Sequence, residues 1–530
     1  MTQAESLIEY GSRRAIITFT AIMCALLEIV DTTIVNVALN DMKGNLGATT
    51  SEVGWVVTAY AIGNVIIVPM TSWLSQQFGR RNYFAASIIL FTICSFLCGN
   101  ASGITELIIF RFIQGVGGGA LLVTSQTLIT ESYPPEKRGM AQAIYGMGVI
   151  VGPTLGPPLG GWIIDNVPGG WPFIFYINIP LGVIATLLTL QFVRSPKYAN
   201  KSAVSDIDWI GIGLLAVFVG SLQYILEKGH EEDWFSSPTV TTLAVVAVFG
   251  FFFFIWRELT FRNPVVNLRV LNNRSLAVGT VLSFIMGFGL YGTTFIIPLY
   301  TQATLGWTAT QAGLLLVPAA LTTGILMPFI GRMLQKGVSG IWLASVGMVM
   351  FFFFCFWGYK ILTPDTGSQA FFWMLIFRGI ALGLLFIPVT TLSLSGLKGR
   401  QIGEGAAFTG MMRQLGGSFG IAVITTFMAQ QQMVHRNNLI SHLDVTNPTV
   451  QNRVNAMQHS FEAKGFAPNI ALGDAYKSLE GMVTKQAMVL SYMDVFLFTG
   501  IIFLLAIPII FLARKKKAVP GEKIDMSAAH

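Results

Sequence analysis

Runs of residues without a single charge recur along this chain, and they leave few folds open to it. Ala15–Leu27, Tyr83–Leu97 and Val495–Ala513, taken with their apolar flanks, approach or match the roughly 20 residues with which a helix crosses about 30 Å of hydrocarbon. Inside lipid a backbone must satisfy its own hydrogen bonds, so each run is predicted to be a helix. Composition agrees. Of 530 residues, 53% are hydrophobic and 11% charged, with a mean hydropathy of +0.64, which cannot cover a soluble surface.

Apolar windows and loop breakers place fourteen spans near 15–37, 52–75, 82–101, 104–127, 139–164, 171–193, 207–226, 239–256, 275–300, 309–331, 340–359, 369–393, 405–429 and 487–513. The fold class is therefore all-α integral membrane. Most connections are short; the exception is 430–486, a polar stretch expected to form a small element outside the bilayer. The first apolar run resembles a signal peptide, but it is too long and lacks a small-residue cleavage site, so it is expected to stay as the first span.

The net charge of +7 could suggest a nucleic-acid partner, but its distribution follows topology. Arg13, Arg14, Arg80, Arg81, Lys137, Arg138, the basic residues of 194–201 and 257–274, Arg332, Lys336, Lys398, Arg400 and the run Arg514–Lys517 all fall on one side of the alternating spans. The other side holds few, chiefly Lys43, Lys228, Lys360 and those of the 430–486 stretch. The positive-inside rule then puts both termini in the cytoplasm and excludes nucleic acid as the reason for the charge.

Cys24, Cys94, Cys98 and Cys355 lie within spans and read as small apolar residues rather than a disulfide framework. The five histidines lie outside the spans and no Cys/His cluster has metal spacing, so neither a metal nor another cofactor is expected.

The two ends of the chain resemble one another. Ile109-Phe110-Arg111-Phe112-Ile113 matches Ile376-Phe377-Arg378-Gly379-Ile380, and Gly146-Met147, Gly152 and Gly156 match Gly410-Met411, Gly416 and Gly420 at nearly the same offset. Duplicated halves of this kind commonly enclose a central site in transporters. Spans 1–6 and 9–14 read as two six-helix halves, with 7 and 8 inserted. The organisation is a cytoplasmic N-terminus over 1–14, a first half over 15–193, the inserted helices and flanking loops over 194–274, a second half over 275–513 and a basic tail over 514–530.

A charge inside a span costs roughly 2.5–3.5 kcal/mol on insertion scales, so each one is a functional candidate. Glu28 and Asp31 lie one turn apart in span 1 and are expected to share a face. Two carboxylates so close in a low dielectric do not ionise independently, as a proton carrier requires; the structural alternative is that either simply pairs with an arginine. Arg111 in span 4 lies too deep to reach the surface and could bond a span 1 carboxylate, releasing it on protonation. Arg413 in span 13 is similarly deep and needs an acceptor, while Arg378, near the middle of span 12, leaves anion contact and packing both open. Gly115-Val116-Gly117-Gly118-Gly119-Ala120 fits a dinucleotide fingerprint, yet it sits mid-helix with no preceding strand. Close helix packing is the better reading. Gly146, Gly148, Gly152, Gly156 and Gly160, with Pro153, Pro157 and Pro158, give span 5 the same character.

Together these motifs resemble the major facilitator superfamily, and within it the fourteen-span drug:proton antiporters of the EmrB-like type. The resemblance covers nearly the whole chain. It rests on Leu27-Glu28-Ile29-Val30-Asp31-Thr32-Thr33-Ile34-Val35-Asn36-Val37-Ala38-Leu39, Arg111-Phe112-Ile113-Gln114-Gly115 and Gly152-Pro153-Thr154-Leu155-Gly156-Pro157. Further matches are Phe175-Tyr176-Ile177-Asn178-Ile179-Pro180, Asp206-Ile207-Asp208-Trp209-Ile210-Gly211 and Arg413-Gln414-Leu415-Gly416-Gly417-Ser418. One departure is Gln76-Gln77-Phe78 before Gly79-Arg80-Arg81, where the wider superfamily has an acidic residue.

The resemblance implies two halves in alternating access, with Asp31, Glu28 and Arg111 coupling protons to export. It also implies that Gly146, Gly152, Pro153, Gly156 and Pro157 form an antiporter-motif helix. Arg378, Arg413, Gln114 and Asn36 are candidates for substrate contact or structural bonding. The implied activity is multidrug efflux of hydrophobic or amphipathic toxic compounds from the bacterial inner membrane. In a Gram-negative host the partners would be a periplasmic membrane-fusion protein and an outer-membrane channel. Two other readings stay open on sequence: export of one endogenous metabolite, siderophore- or fatty-acid-like, and a non-transporting receptor or scaffold.

Overall fold

The computed structural model describes residues 8–195, 208–397, 399–444 and 446–513. The basic tail expected over 514–530, residues 1–7, Lys398 and the 196–207 part of the linker, with Asp206-Ile207, lie outside the described residues. All regular structure among the described residues is helical. Helices α1 (Gly11–Leu46), α2 (Thr50–Phe78), α3 (Arg80–Gly99), α4 (Ile104–Ser132), α5 (Arg138–Asn166), α6 (Phe173–Tyr176) and α7 (Asn178–Phe192) form the first half. The second half comprises α10 (Arg274–Ala303), α11 (Ala309–Leu315), α12 (Val317–Gln335), α13 (Gly340–Ile361), α14 (Ser368–Ser393), α15 (Arg400–Ser441), α16 (Pro448–Glu462) and α17 (Pro468–Phe511). Between them stand α8 (Trp209–Lys228) and α9 (Pro238–Thr260).

Twelve described spans, with α6–α7 and α11–α12 each counted as one, are long and apolar enough to cross a bilayer; α5, bent by 41° after Pro153, makes a thirteenth. Three prolines inside α5 remove backbone donors and open the bend. The expected fourteenth span, 405–429, falls within α15, which is not apolar enough to count among these because it carries Arg413, Gln414 and a run of glycines, but which packs lengthwise on α10, α17, α2 and α4. The four cysteines are free and buried.

The polar stretch 430–486 is not a loop flanking two bilayer-length spans. With 42 and 44 residues, α15 and α17 run about 60–65 Å at 1.5 Å per residue, roughly twice the hydrocarbon thickness. Their outer ends form an antiparallel pair with α16 laid on α17. His435 Nε2 meets Asp494 Oδ2 at 2.7 Å, and Arg436 bonds Glu480 at 2.7 and 2.9 Å. Polar composition marked where the chain leaves lipid, whereas the helices continue because they pack on each other outside it.

The repeat read from sequence is reproduced in the packing. Gly152 and Gly156 lie against Ile29, Thr33 and Ile34 of α1; Gly416 and Gly420 lie against the backbone at Phe284 and Phe288 of α10. Gly146 faces Phe386 of α14 and Met327 of α12, while Gly410 faces Val123 of α4 and Val68 of α2. The halves therefore meet along two seams, α5 against α12 and α14, and α15 against α2 and α4. The inserted pair closes over the second seam: α8 packs on α2 and α15, with Gln223 Nε2 bonding Ser418 Oγ at 2.8 Å and Trp234 Nε1 bonding Thr426 Oγ1 at 3.1 Å. On α9, Phe249, Phe252, Phe253 and Trp256 are exposed, as a lipid-facing surface requires.

Candidate functional site

Asp31 is fully buried near the middle of α1, and its carboxylate collects donors from two other helices. Arg111 Nη1 of α4 lies 2.6 Å from Oδ2. Gln114 Nε2, one turn along α4, donates to Oδ1 at 3.1 Å, and Asn178 Nδ2 at the start of α7 donates to the same atom at 2.8 Å. Ser95 Oγ of α3 accepts from both amides, at 2.7 and 3.2 Å. Arg111 also donates to Gln114 Oε1 at 2.8 Å and to the Val56 carbonyl of α2 at 3.2 Å. Its guanidinium stacks 4.2 Å from the Tyr60 ring centre and 5.6 Å from that of Phe175. Charge is thus cancelled inside a cage closed by five spans, with α6 and α7 counted as one, as a charge removed from water demands. Protonating Asp31 would remove the charge that holds Arg111 and one of its acceptor positions, and so weaken the tie between α1 and α4 most.

Close approach makes the cage possible. At Gly115 a Cβ would press on the Tyr60 carbonyl, and at Gly117 it would lie 2.9 Å from the Phe91 nitrogen and 3.1 Å from the Ser87 carbonyl. The glycine run thus lets α4 lie flush on α2 and α3, which sets the depth at which Arg111 and Gln114 emerge.

Glu28 is also buried, but it turns elsewhere. Asn64 Nδ2 of α2 donates to Glu28 Oε1 at 2.8 Å, and Gln414 Nε2 of α15 donates to Asn64 Oδ1 at 2.7 Å. Glu28 therefore reaches the second half through a chain of two amides. Glu28 and Asp31 stay within electrostatic reach of one another, as expected, but they bond different partners, because three residues of helix fall about 60° short of a full turn. That rotation aims Asp31 at α4 and α7 and Glu28 at the seam.

Arg413 is 1% exposed and neither of its terminal nitrogens has a hydrogen-bond partner. Its guanidinium lies 5.3 Å from the Phe386 ring centre. Arg378 is buried and bonds only hydroxyls and a carbonyl in α10: Thr293 Oγ1 at 3.1 Å, Thr294 Oγ1 at 2.6 Å and the Leu290 oxygen at 3.4 Å. Asn36 is exposed and stands apart from the cage. Gly146, Gly152, Pro153, Gly156 and Pro157 line α5 between α1 and the second half.

Several residues of the arrangement escaped sequence reasoning as site residues. Asn178, Ser95 and Asn64 are uncharged polar residues within spans; only Asn178 carried a signal, standing in the Phe175–Pro180 motif. Arg80 forms a buried, doubly bonded ion pair with Glu131. Glu131 lies in the last turn of α4, beyond the expected end of that span.

The sequence profile of the Major Facilitator Superfamily matches residues 21–421. The chain belongs to the major facilitator superfamily. It is 34% identical over 504 residues to the multidrug export protein EmrB of Escherichia coli K12, covering 95% of this chain and 96% of that protein. It is 33% identical over 506 residues to the fatty acid resistance protein FarB of Neisseria gonorrhoeae, covering 95% and 97%. Among solved structures, the human organic anion transporter MFSD10 superimposes with a TM-score of 0.56 at 13% identity, covering 95% of this chain and all of that one. A bacterial homologue of the human lysosomal transporter Spinster, inward-facing and unoccupied, gives 0.54 at 16%, covering 96% and 100%. These two carry the fold alone. The chain is an EmrB-like, multi-pass membrane transporter of the major-facilitator fold, and not an enzyme.

Proposed function

We propose that this chain exports hydrophobic and amphipathic toxic compounds across the bacterial inner membrane in exchange for protons, by alternating access of its two halves. The similarity to EmrB export proteins supports efflux as the activity. The observation that carries proton coupling is the Asp31–Arg111 pair, the anchor of the first half's cage. A proton arriving at Asp31 neutralises it, loosens α1 from α4 and α7, and frees α1 to move with α5 against the second half. The energy is sufficient: one proton gains about 2.3 kcal/mol per 100 mV of membrane potential and about 1.4 kcal/mol per pH unit.

In this reading Glu28 is a second proton-responsive group, since its carboxylate ends the amide chain that crosses the seam. Both termini lie in the cytoplasm, on the charge distribution of the loops. The outer ends of α15 and α17 with α16 then stand in the periplasm, and their length outside the bilayer suits docking of a membrane-fusion protein that continues to an outer-membrane channel. Efflux measured in a pump-deficient host tests the reading. Expression should raise the resistance of that host to a panel of amphipathic compounds, and Asp31→Asn should abolish the gain while the protein still inserts. Full efflux by that variant would refute the role of Asp31.

A further inference from the structure

Gln223 of α8 is at 0% exposure, and only one side of its amide is engaged. Nε2 donates to Ser418 Oγ of α15 at 2.8 Å and to Glu227 Oε1, one turn further along α8, at 2.9 Å. Both amide hydrogens are thereby engaged, while Gln223 Oε1 is buried without a donor. A buried amide oxygen in that condition is unfavourable and calls for a partner. Glu227 stands beside it and supplies the missing hydrogen once it is protonated. A carboxylic acid and an amide meet edge to edge in two parallel bonds, N–H to the acid's oxygen and O–H to the amide's oxygen. The first of these is present here, and the second lacks a proton. Neighbouring charges do not occupy Glu227 instead. Lys228 and Glu231 are within electrostatic reach of it, but Lys228 Nζ bonds Glu231 at 2.7 Å and lies over Gly54 of α2. Glu232 accepts from Tyr224 and Ser237, and His230 and Asp233 are exposed in the turn after α8. Of the helices packed on α8, α9 over 238–256 and α15 over 414–434 carry no charge, and Glu52 of α2 bonds its own cap at Thr49.

The place of this pair gives it a use. Glu227 is half-buried where the seam reaches the side on which α15 and α17 extend. α8 packs on α2 of the first half, and its Gln223 bonds α15 of the second. Ser418 stands one turn along α15 from Gln414, where the amide chain to Glu28 begins. We propose that Glu227 is a proton-binding residue, and that a proton taken up there from the outer side fastens α8 across the seam to α15. The proton forms an O–H bond at Glu227 Oε2 and is donated to Gln223 Oε1, while one Nε2 hydrogen stays on Glu227 Oε1 and the other on Ser418 Oγ. Its loss to outer water leaves two acceptors edge to edge with no hydrogen between them. The amide then turns, Ser418 is released and the seam is free to open. Outer acid thus favours a closed seam once a substrate has left. The direction and the place in the cycle rest on the export reading above, but proton occupancy can be measured without transport.

The test is infrared difference spectroscopy of purified full-length protein in lipid, with pH stepped through and above the range in which exposed carboxylates ionise. The carbonyl stretch of a neutral acid reports each carboxyl that is still protonated. Wild-type protein should show such a band above that range, lost in Glu227→Gln and retained in Asp31→Asn and in Glu28→Gln. Gln223→Leu removes the amide donor and should move the band to higher frequency. In proteoliposomes Glu227→Gln should flatten the dependence of proton exchange on outer pH, and Glu227→Asp should restore part of it. A wild-type protein without any protonated-carboxyl band above that range overturns the proposal, even if the variants fail to fold. A band that survives in folded Glu227→Gln, or is unmoved in folded Gln223→Leu, also overturns it, and an unchanged outer-pH profile in Glu227→Gln overturns the fastening of the seam. A band that follows Glu227 in a protein that exchanges protons for no compound would instead refute the export reading and leave the proton site standing.

Discussion

Replacing both Asp31 and Arg111 should destabilise the protein less than the two single replacements would together. Arg111→Gln leaves a carboxylate at 0% exposure facing two amide donors, and breaking a buried pair from one side costs about 3–5 kcal/mol. Asp31→Asn is milder. The guanidinium keeps the Val56 carbonyl at 3.2 Å and Gln114 Oε1 at 2.8 Å and gains an amide oxygen, so the loss is that of one charge-assisted bond, about 2 kcal/mol. The double variant Asp31→Asn/Arg111→Gln buries no charge and loses about 2 kcal/mol in hydrogen bonding. The cycle then closes with a coupling energy of about 3 kcal/mol or more. Reversible unfolding in mixed micelles of rising dodecyl sulfate content, at a pH where carboxylates are ionised, gives the four free energies. Additivity within about 0.5 kcal/mol would refute the argument, because it would mean that the cage holds the two charges independently.

Glu28→Gln keeps an acceptor for Asn64 but removes the charge, so the pH optimum of drug-driven proton exchange in proteoliposomes should move; an unchanged profile would count against a proton-responsive role. Gly115→Val drives two methyls into the Tyr60 carbonyl and should destabilise the α2–α4 contact by about 1–3 kcal/mol, read as a lower unfolding midpoint of the purified protein. A wild-type midpoint would show that α4 does not depend on that close approach. Deleting 436–480 removes α16 and the Arg436–Glu480 pair but leaves His435 on Asp494. Insertion and transport by the purified variant should persist while cellular resistance is lost, and full resistance would discard the docking role.

The sequence made the charges legible because each interrupts an apolar run: Glu28, Asp31, Arg111, Arg378 and Arg413 could all be picked out before any contact was known. It also made the two halves legible, since the glycines of α5 and α15 are retained where one helix must lie against another. What stayed hidden depends on rotation and depth. Asn178, Ser95 and Asn64 are ordinary polar residues until the helices turn them towards a carboxylate, and Glu28 was grouped with Asp31 because spacing alone does not resolve a 60° difference in direction. Helix ends stayed hidden as well. Hydropathy reports where lipid stops, so it missed Glu131 in the last turn of α4 and the long continuations of α15 and α17.

The inserted pair α8–α9 has a consequence for how a greasy molecule gets in. Of the two seams, the one between α2 and α15 is boarded over by α8, which bonds α15 through Gln223 and sets the Tyr224 ring, tilted, 5.4 Å from that of Trp55 of α2, while Trp234 in the turn after α8 bonds α15 as well. Any compound dissolved in the leaflet beside that seam meets a wall of phenylalanines rather than a doorway. The seam between α5 and α12, with three prolines inside α5, carries no comparable cover from α8 or α9 among the described residues. Two extra helices thus make two related seams unequal, one screened from lipid and the other facing it.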